Sequence, residues 1–107
     1  MVVYNVTIKV DPTIAEEWMQ WMRLHHIPQV LQTGVFTKSR ISKLDIQEAD
    51  GITYVVQYDC YSQELLNTYM IKYAPTLQKE HIDKFAGKFV AFRTVLQIIE
   101  EIYPVVN

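Results

Sequence analysis

Histidine, arginine, asparagine and cysteine are the side chains of this sequence that could move protons, hold a metal or fix a polar ligand. His25 and His26 are adjacent, and His81 stands alone. On a helix, successive residues diverge by about 100°, so His25 and His26 cannot face one metal ion. No HExxH, cysteine pair or carboxylate cluster completes a zinc site, and neither metal nor cofactor is implied. The pair instead suits the end of a helix, where positive charge is favoured. His26, two residues before Pro28, is also a candidate for the rim of a pocket. Cys60 is the only cysteine, so no intrachain disulfide is possible, and in its apolar surroundings it reads as a small buried hydrophobe. Ser39, Ser42 and Ser62 lack a nucleophile-elbow context, and three isolated glycines cannot cradle a phosphate. Arg93 interrupts the apolar run FVAFRTVLQII. If enclosed, it needs a partner such as Asp59 or an anionic ligand. At a sheet edge it can snorkel to water instead, and both readings stay open.

These residues are positioned by a simple run of elements. Residues 2–10 alternate, with Val2, Tyr4, Val6, Ile8 and Val10 on one side and Val3, Asn5, Thr7 and Lys9 on the other. Asp11 can cap a first helix, with Pro12 at its first position. Ile14, Trp18, Trp21, Met22 and His25 form its stripe, so both tryptophans read as core or interface anchors. Pro28 should end the main helix near His26, and residues 28–33 add a turn or two before Gly34. A second strand is expected at about 35–47 and a third at about 52–61, joined by a tight turn at Asp50-Gly51. In the third, Ile52, Tyr54, Val56, Tyr58 and Cys60 oppose Thr53, Val55, Gln57 and Asp59. Ser62 caps a second helix with Leu65, Leu66, Tyr69, Met70 and Tyr73 on its apolar face. Pro75 breaks it and should leave Ala74 extended. A further helical piece at about 75–85 turns Leu77, Ile82 and Phe85 inward, and the last strand covers about 88–99.

The order β-α-β-β-α-β predicts a single α+β domain over residues 1–107. It is a ferredoxin-like sandwich: a four-stranded antiparallel sheet with two helices on one face, strands 1 and 3 central and strands 2 and 4 at the edges. The fourth strand is apolar on both sides, yet helices cover only one. The uncovered face would carry Asn5, Thr7, Thr53, Val55 and Gln57, which are small, uncharged and able to hydrogen bond. Such a face suits a partly hydrated interior better than bulk water. A second copy stacked through the open face and strand 4 would supply the cover, giving a two-fold homodimer.

Several stretches together resemble a known group. They are Tyr4-Asn5-Val6-Thr7, Trp18 with Trp21-Met22, His26-Ile27-Pro28, Thr33-Gly34 and Phe36. Further along come Gly51-Ile52-Thr53-Tyr54, Gln57-Tyr58, Ala74-Pro75, Leu77, Phe85 and Lys88-Phe89-Val90-Ala91-Phe92-Arg93-Thr94. Over nearly its full length the chain resembles a family of short bacterial proteins known only as a domain of unknown function. The resemblance implies the dimeric α+β barrel form of the ferredoxin-like fold and brings no catalytic residues. More distantly, His26-Ile27-Pro28 at the end of helix 1 is similar to the antibiotic-biosynthesis-monooxygenase group of dimeric barrels. That group includes cofactor-free oxygenases and haem-degrading enzymes. Its haem-degrading members use an asparagine on strand 1, a histidine on helix 2 and a nearby tryptophan. Asn5 and His81 fall on comparable elements here, whereas the tryptophans on helix 1 depart from that pattern.

The functional expectation is a dimeric small-molecule-binding or interaction module whose ligand site draws on Asn5, Thr7, His26, Gln57 and Arg93. The alternative is a cofactor-free monooxygenase-like or haem-handling enzyme, with Asn5, His26 and Arg93 around one cavity. An RNA-recognition module shares the element order, and GKFVAF at 87–92 resembles its aromatic motif. That motif belongs on the third strand, the second glycine is missing, and the net charge is −2, so nucleic acid is rejected as a partner. No apolar run approaches the roughly 18–20 residues that span a bilayer, and MVVYNVTIKV reads as a strand and not a signal peptide. The expected location is the cytoplasm, with no membrane partner.

Overall fold

The computed structural model describes residues 1–106. Four strands, β1 (Val2–Val10), β2 (Phe36–Lys43), β3 (Ile52–Cys60) and β4 (Phe89–Gln97), form one antiparallel sheet in the order β2-β3-β1-β4. The central and edge strands are those expected, and the chain has a ferredoxin-like α+β fold. Helices α1 (Ala15–Trp21), α2 (Ile27–Gln32), α3 (Gln63–Lys72) and α4 (Ala74–Lys84) cover one face. Between sheet and helices lies a core built on Tyr4, Ile8, Val10, Trp18, Met22, Val56, Cys60 and Leu66. Cys60 is fully buried, as its surroundings predict. Among the described residues no helix is long and apolar enough to cross a membrane.

The first helical run departs from expectation in an instructive way. Pro28 does not end it. Between α1 and α2, residues Met22–His26 form a π-helical turn, with the Ile27 N–H donating to the Met22 carbonyl. From Trp18 onward the buried positions are Trp18, Met22, His26 and Val30, a strict spacing of four. A regular α-helix turns once per 3.6 residues, so a repeat of four would drift off the core. The wider π turn absorbs that drift and places Pro28 in the first turn of α2, where its missing N–H costs little. The inward histidine is therefore His26, and His25 is exposed.

Pro75 likewise sits in the first turn of α4, so Ala74 is helical and buried, not extended. The break falls at Tyr73, whose φ of −118° separates α3 from α4. On α4 it is His81 that turns inward with Phe85, while Ile82 is exposed. On α3, Leu66 and Tyr69 are buried and Leu65 and Met70 face outward.

Strand β2 is shorter than predicted, and residues 44–51 form a loop in place of a tight turn. Glu48 holds that loop to the sheet, accepting bonds from the Thr53 N–H at 3.1 Å and its hydroxyl at 3.0 Å. Lys9 pairs with Glu48 at 3.3 Å and Asp50 at 2.8 Å. At the start of β2 a bulge shifts the register between Phe36 and Lys38. Phe36 thus packs in the core, yet beyond the bulge Ser39 and Ile41 face the helices and Lys38, Arg40 and Ser42 face away.

Candidate functional site

The sheet register sorts the five expected site residues into two groups. Asn5 pairs with Gln57 on β3 and Thr94 on β4, so Asn5, Thr7, Gln57 and Thr94 share the open face. Arg93 pairs with Val6 and so projects to the helix-covered face, where His26 also lies. Asn5 does not share a cavity with His26 and Arg93, because the sheet separates them. For the same reason Asn5 and His81 do not flank one ligand within a copy. Arg93 does not reach Asp59 either, since Asp59 alternates to the open face.

On the covered face, Tyr4, Met22, His26, Tyr69, Gln78, His81 and Arg93 converge on a cavity of about 20 Å³. That volume admits roughly one water molecule. Two imidazoles dominate it. His81 is 3% exposed and accepts a bond from the Trp18 indole N–H at 2.9 Å. Its Nε2 is thereby the acceptor, which puts the proton of the neutral ring on Nδ1. Its ring also lies flat on Phe89, centroids 3.9 Å apart. His26 is 9% exposed and stacks on Trp21, and its Nδ1 is buried without a partner. The two imidazoles are 5.3 Å apart, centroid to centroid.

Burial, reinforced by the charge of Arg93, pushes His26 down to about 4. Burial pushes His81 down to about 3, helped by His26 and Arg93. Both rings are therefore neutral at physiological pH. Tyr4, Tyr58 and Tyr69 have hydroxyls raised above their ordinary value by burial, while Arg93 pulls Tyr4 and Tyr69 back. The cavity is thus a set of neutral donors and acceptors with one cation, Arg93, standing in solvent at its mouth. Arg93 is thus not enclosed and has no contact with Asp59; it is the edge residue that snorkels to water.

The open face carries a different arrangement. Thr94, Asn5, Gln57 and Arg40 occupy one register row across β4, β1, β3 and β2. The Asn5 amide N–H donates to Thr94 at 3.3 Å and to Thr7 at 3.5 Å. Gln57 donates to the Asn5 carbonyl oxygen at 3.0 Å, and Arg40 donates to Gln57 at 2.8 Å. The Arg40 guanidinium then grips buried Asp59 with two bonds, at 3.1 and 3.3 Å. Arg40 was not among the expected site residues. The signal was there: Phe36 and Ile41 are out of phase in FTKSRISK, which only a bulge can reconcile with one apolar face. Phe92, Val90 and Leu96 flank the row and are 71%, 58% and 47% exposed.

A model of the family described as a domain of unknown function, DUF4286, matches residues 1–99. The chain belongs to this family. A search of curated protein sequences finds no relative of this member. Its fold recurs widely among solved structures. An antibiotic biosynthesis monooxygenase-type protein from Deinococcus radiodurans is 15% identical, with TM-score 0.72, covering 99% of this chain and 100% of that one. A dimeric ferredoxin-like protein from an uncultured marine organism is 13% identical, with TM-score 0.65 over 97% and 100%. The monooxygenase from the gene ActVA-Orf6 of Streptomyces coelicolor, solved with nanaomycin D, is 14% identical, with TM-score 0.64 over 97% and 92%. At such identities the likeness is one of fold.

Proposed function

We propose that this DUF4286 protein is a homodimeric module that binds a small acidic or phenolic molecule beneath its helices. The observation that carries this reading is His26: a neutral imidazole, 91% buried by its 9% exposure, whose Nδ1 has no partner and borders a cavity with Arg93 at the mouth. A buried unpaired nitrogen is costly unless something occupies it. The space takes one oxygen-sized group, so the ligand would insert a carboxylate or phenolic oxygen while its body stays near Arg93. The homodimer reading draws on the dimeric ferredoxin-like proteins of the same fold and on the exposed apolar residues of β4. In that dimer Asn5, Thr7 and Gln57 lie between the two sheets and hold waters or a second polar molecule.

A second reading makes the same cavity a cofactor-free oxygenase site, as the fold shared with a monooxygenase solved with nanaomycin D suggests. His26 Nδ1 would there accept a hydrogen bond from the hydroxyl of a phenolic substrate and orient it. Salicylate, a phenol and a carboxylate in one ring, is a suitable probe for both. Trp21 stacks on His26, so its fluorescence reports occupancy. Arg93→Gln and His26→Leu should each weaken salicylate binding about tenfold. Equal binding by both variants and the parent chain would overturn the site.

A further inference from the structure

Beyond Gln97 the described chain, to residue 106, forms no helix or strand and is almost wholly exposed. Ile98 is tied by its N–H to the Met1 carbonyl at 3.0 Å, which sets the direction of departure. After it, Ile99, Ile102, Tyr103, Val105 and Val106 are 98%, 83%, 74%, 87% and 92% exposed. Five large apolar side chains in a row of eight would not rest in water unless something covers them. The radius of gyration, 15.1 Å, also exceeds the about 13 Å of a compact chain this long, as a projecting segment requires.

Strand β2 offers the complementary surface. It is an edge strand, paired only with β3, so its outer backbone groups are open. Its cations are Lys38, Arg40 and Lys43, and it has no acidic residue. The segment 98–106 holds Glu100 and Glu101 and no cation. At about 3.3 Å per residue its nine residues reach roughly 30 Å, enough to run the length of eight-residue β2. Lysines on an edge repel indiscriminate pairing, and they admit an acidic strand where they refuse others.

We infer that segment 98–106 of each copy lies along edge strand β2 of its partner, with Glu100 and Glu101 against Lys38 and Lys43 and the apolar residues shielded in the interface. This rests on the homodimer reading and specifies which parts of the two copies meet. Strand-like bonds run through residues 98–103 and stop at Pro104, which has no N–H to donate. Each subunit is then completed by the other's extension.

Paired charge reversal tests it. The Glu100→Lys, Glu101→Lys chain places cations on cations in its own homodimer, and the Lys38→Glu, Lys43→Glu chain places anions on anions. Mixed, the two restore both attractive contacts. Sedimentation should show each homodimer weakened about tenfold or more, with heterodimers recovering the parent affinity on mixing. A chain ending at Gln97 should dimerise about as weakly as the worse variant. Unchanged homodimers for these variants, or no preference on mixing, would overturn the crossing while leaving the dimer in place. A parent chain that sediments as a single copy would overturn both.

Discussion

The two faces of this sheet share the same strands and differ in almost everything else. The helix-covered face is a packed aromatic and aliphatic layer in which the rings of Tyr4 and Phe36 lie 4.8–6.1 Å from each other and from those of Tyr58 and Tyr69. Its polar atoms are few, and burial sets their protonation. The open face is a line of hydrogen bonds from Thr94 through Asn5 and Gln57 to Arg40 and Asp59, flanked by exposed Phe92 and Leu96. One face is finished by the chain's own helices. The other is finished in its polar pairing but not in its apolar cover. Stability therefore resides on the first, and in the proposed dimer assembly falls to the second.

The largest effect that would sharpen this contrast is His81→Ala. It removes a ring buried against Phe89 and leaves the Trp18 N–H without an acceptor. Chemical denaturation should show a loss of about 3–5 kcal/mol. A loss below about 1 kcal/mol would break the claim that this face carries the fold.

Acid should act next, and through the same two imidazoles. Their folded values, about 4 and 3, lie below the ordinary value of 6.5. Below pH 6.5 the unfolded chain takes up protons that the folded chain refuses. The stabilising contribution is complete above that pH and is lost as pH falls toward 4, at a slope approaching about 1.4 kcal/mol per unit for each histidine. Denaturation midpoints measured from pH 7 to 4.5 should fall, and His26→Leu should flatten the decline by about one proton. A profile unchanged by that variant would place His26 in solvent.

On the open face, Asn5→Ala with Gln57→Ala interrupts the polar row but removes no core. The predicted cost within the chain is under about 1 kcal/mol, whereas the dimer should weaken about tenfold by sedimentation equilibrium. An equal loss in both measurements would erase the distinction between the faces. Smallest of all is Arg93→Gln, which should shift thermal stability by no more than about 0.5 kcal/mol while still impairing salicylate binding.

The faces also differ in how legible they were. Strand β1 alternates cleanly, so the burial of Val2, Tyr4, Val6, Ile8 and Val10 follows directly from the period of two. The placement of β1 and β3 at the centre follows from the element order alone. The candidate site was harder because three irregularities control it. The π turn chooses His26 over His25, and a period of 3.6 chooses the reverse. The break at Tyr73 sets the phase of α4 and so turns His81 inward in place of Ile82. The bulge at Thr37 moves Arg40 to the open face. Arg93 could have been placed by parity, since β4 pairs with β1 and Arg93 falls opposite Val6, but only once the register is known. The bulge is legible in the phase slip between Phe36 and Ile41, whereas the π turn and the break at Tyr73 are set by tertiary packing, and no window of the sequence contains them.

The central claim is that the open sheet face is buried against a second copy. Sedimentation velocity of the full chain at micromolar concentration tests it most directly. The prediction is one species at about twice the 12.6 kDa of the single chain. A single species of 12.6 kDa at all concentrations would contradict it.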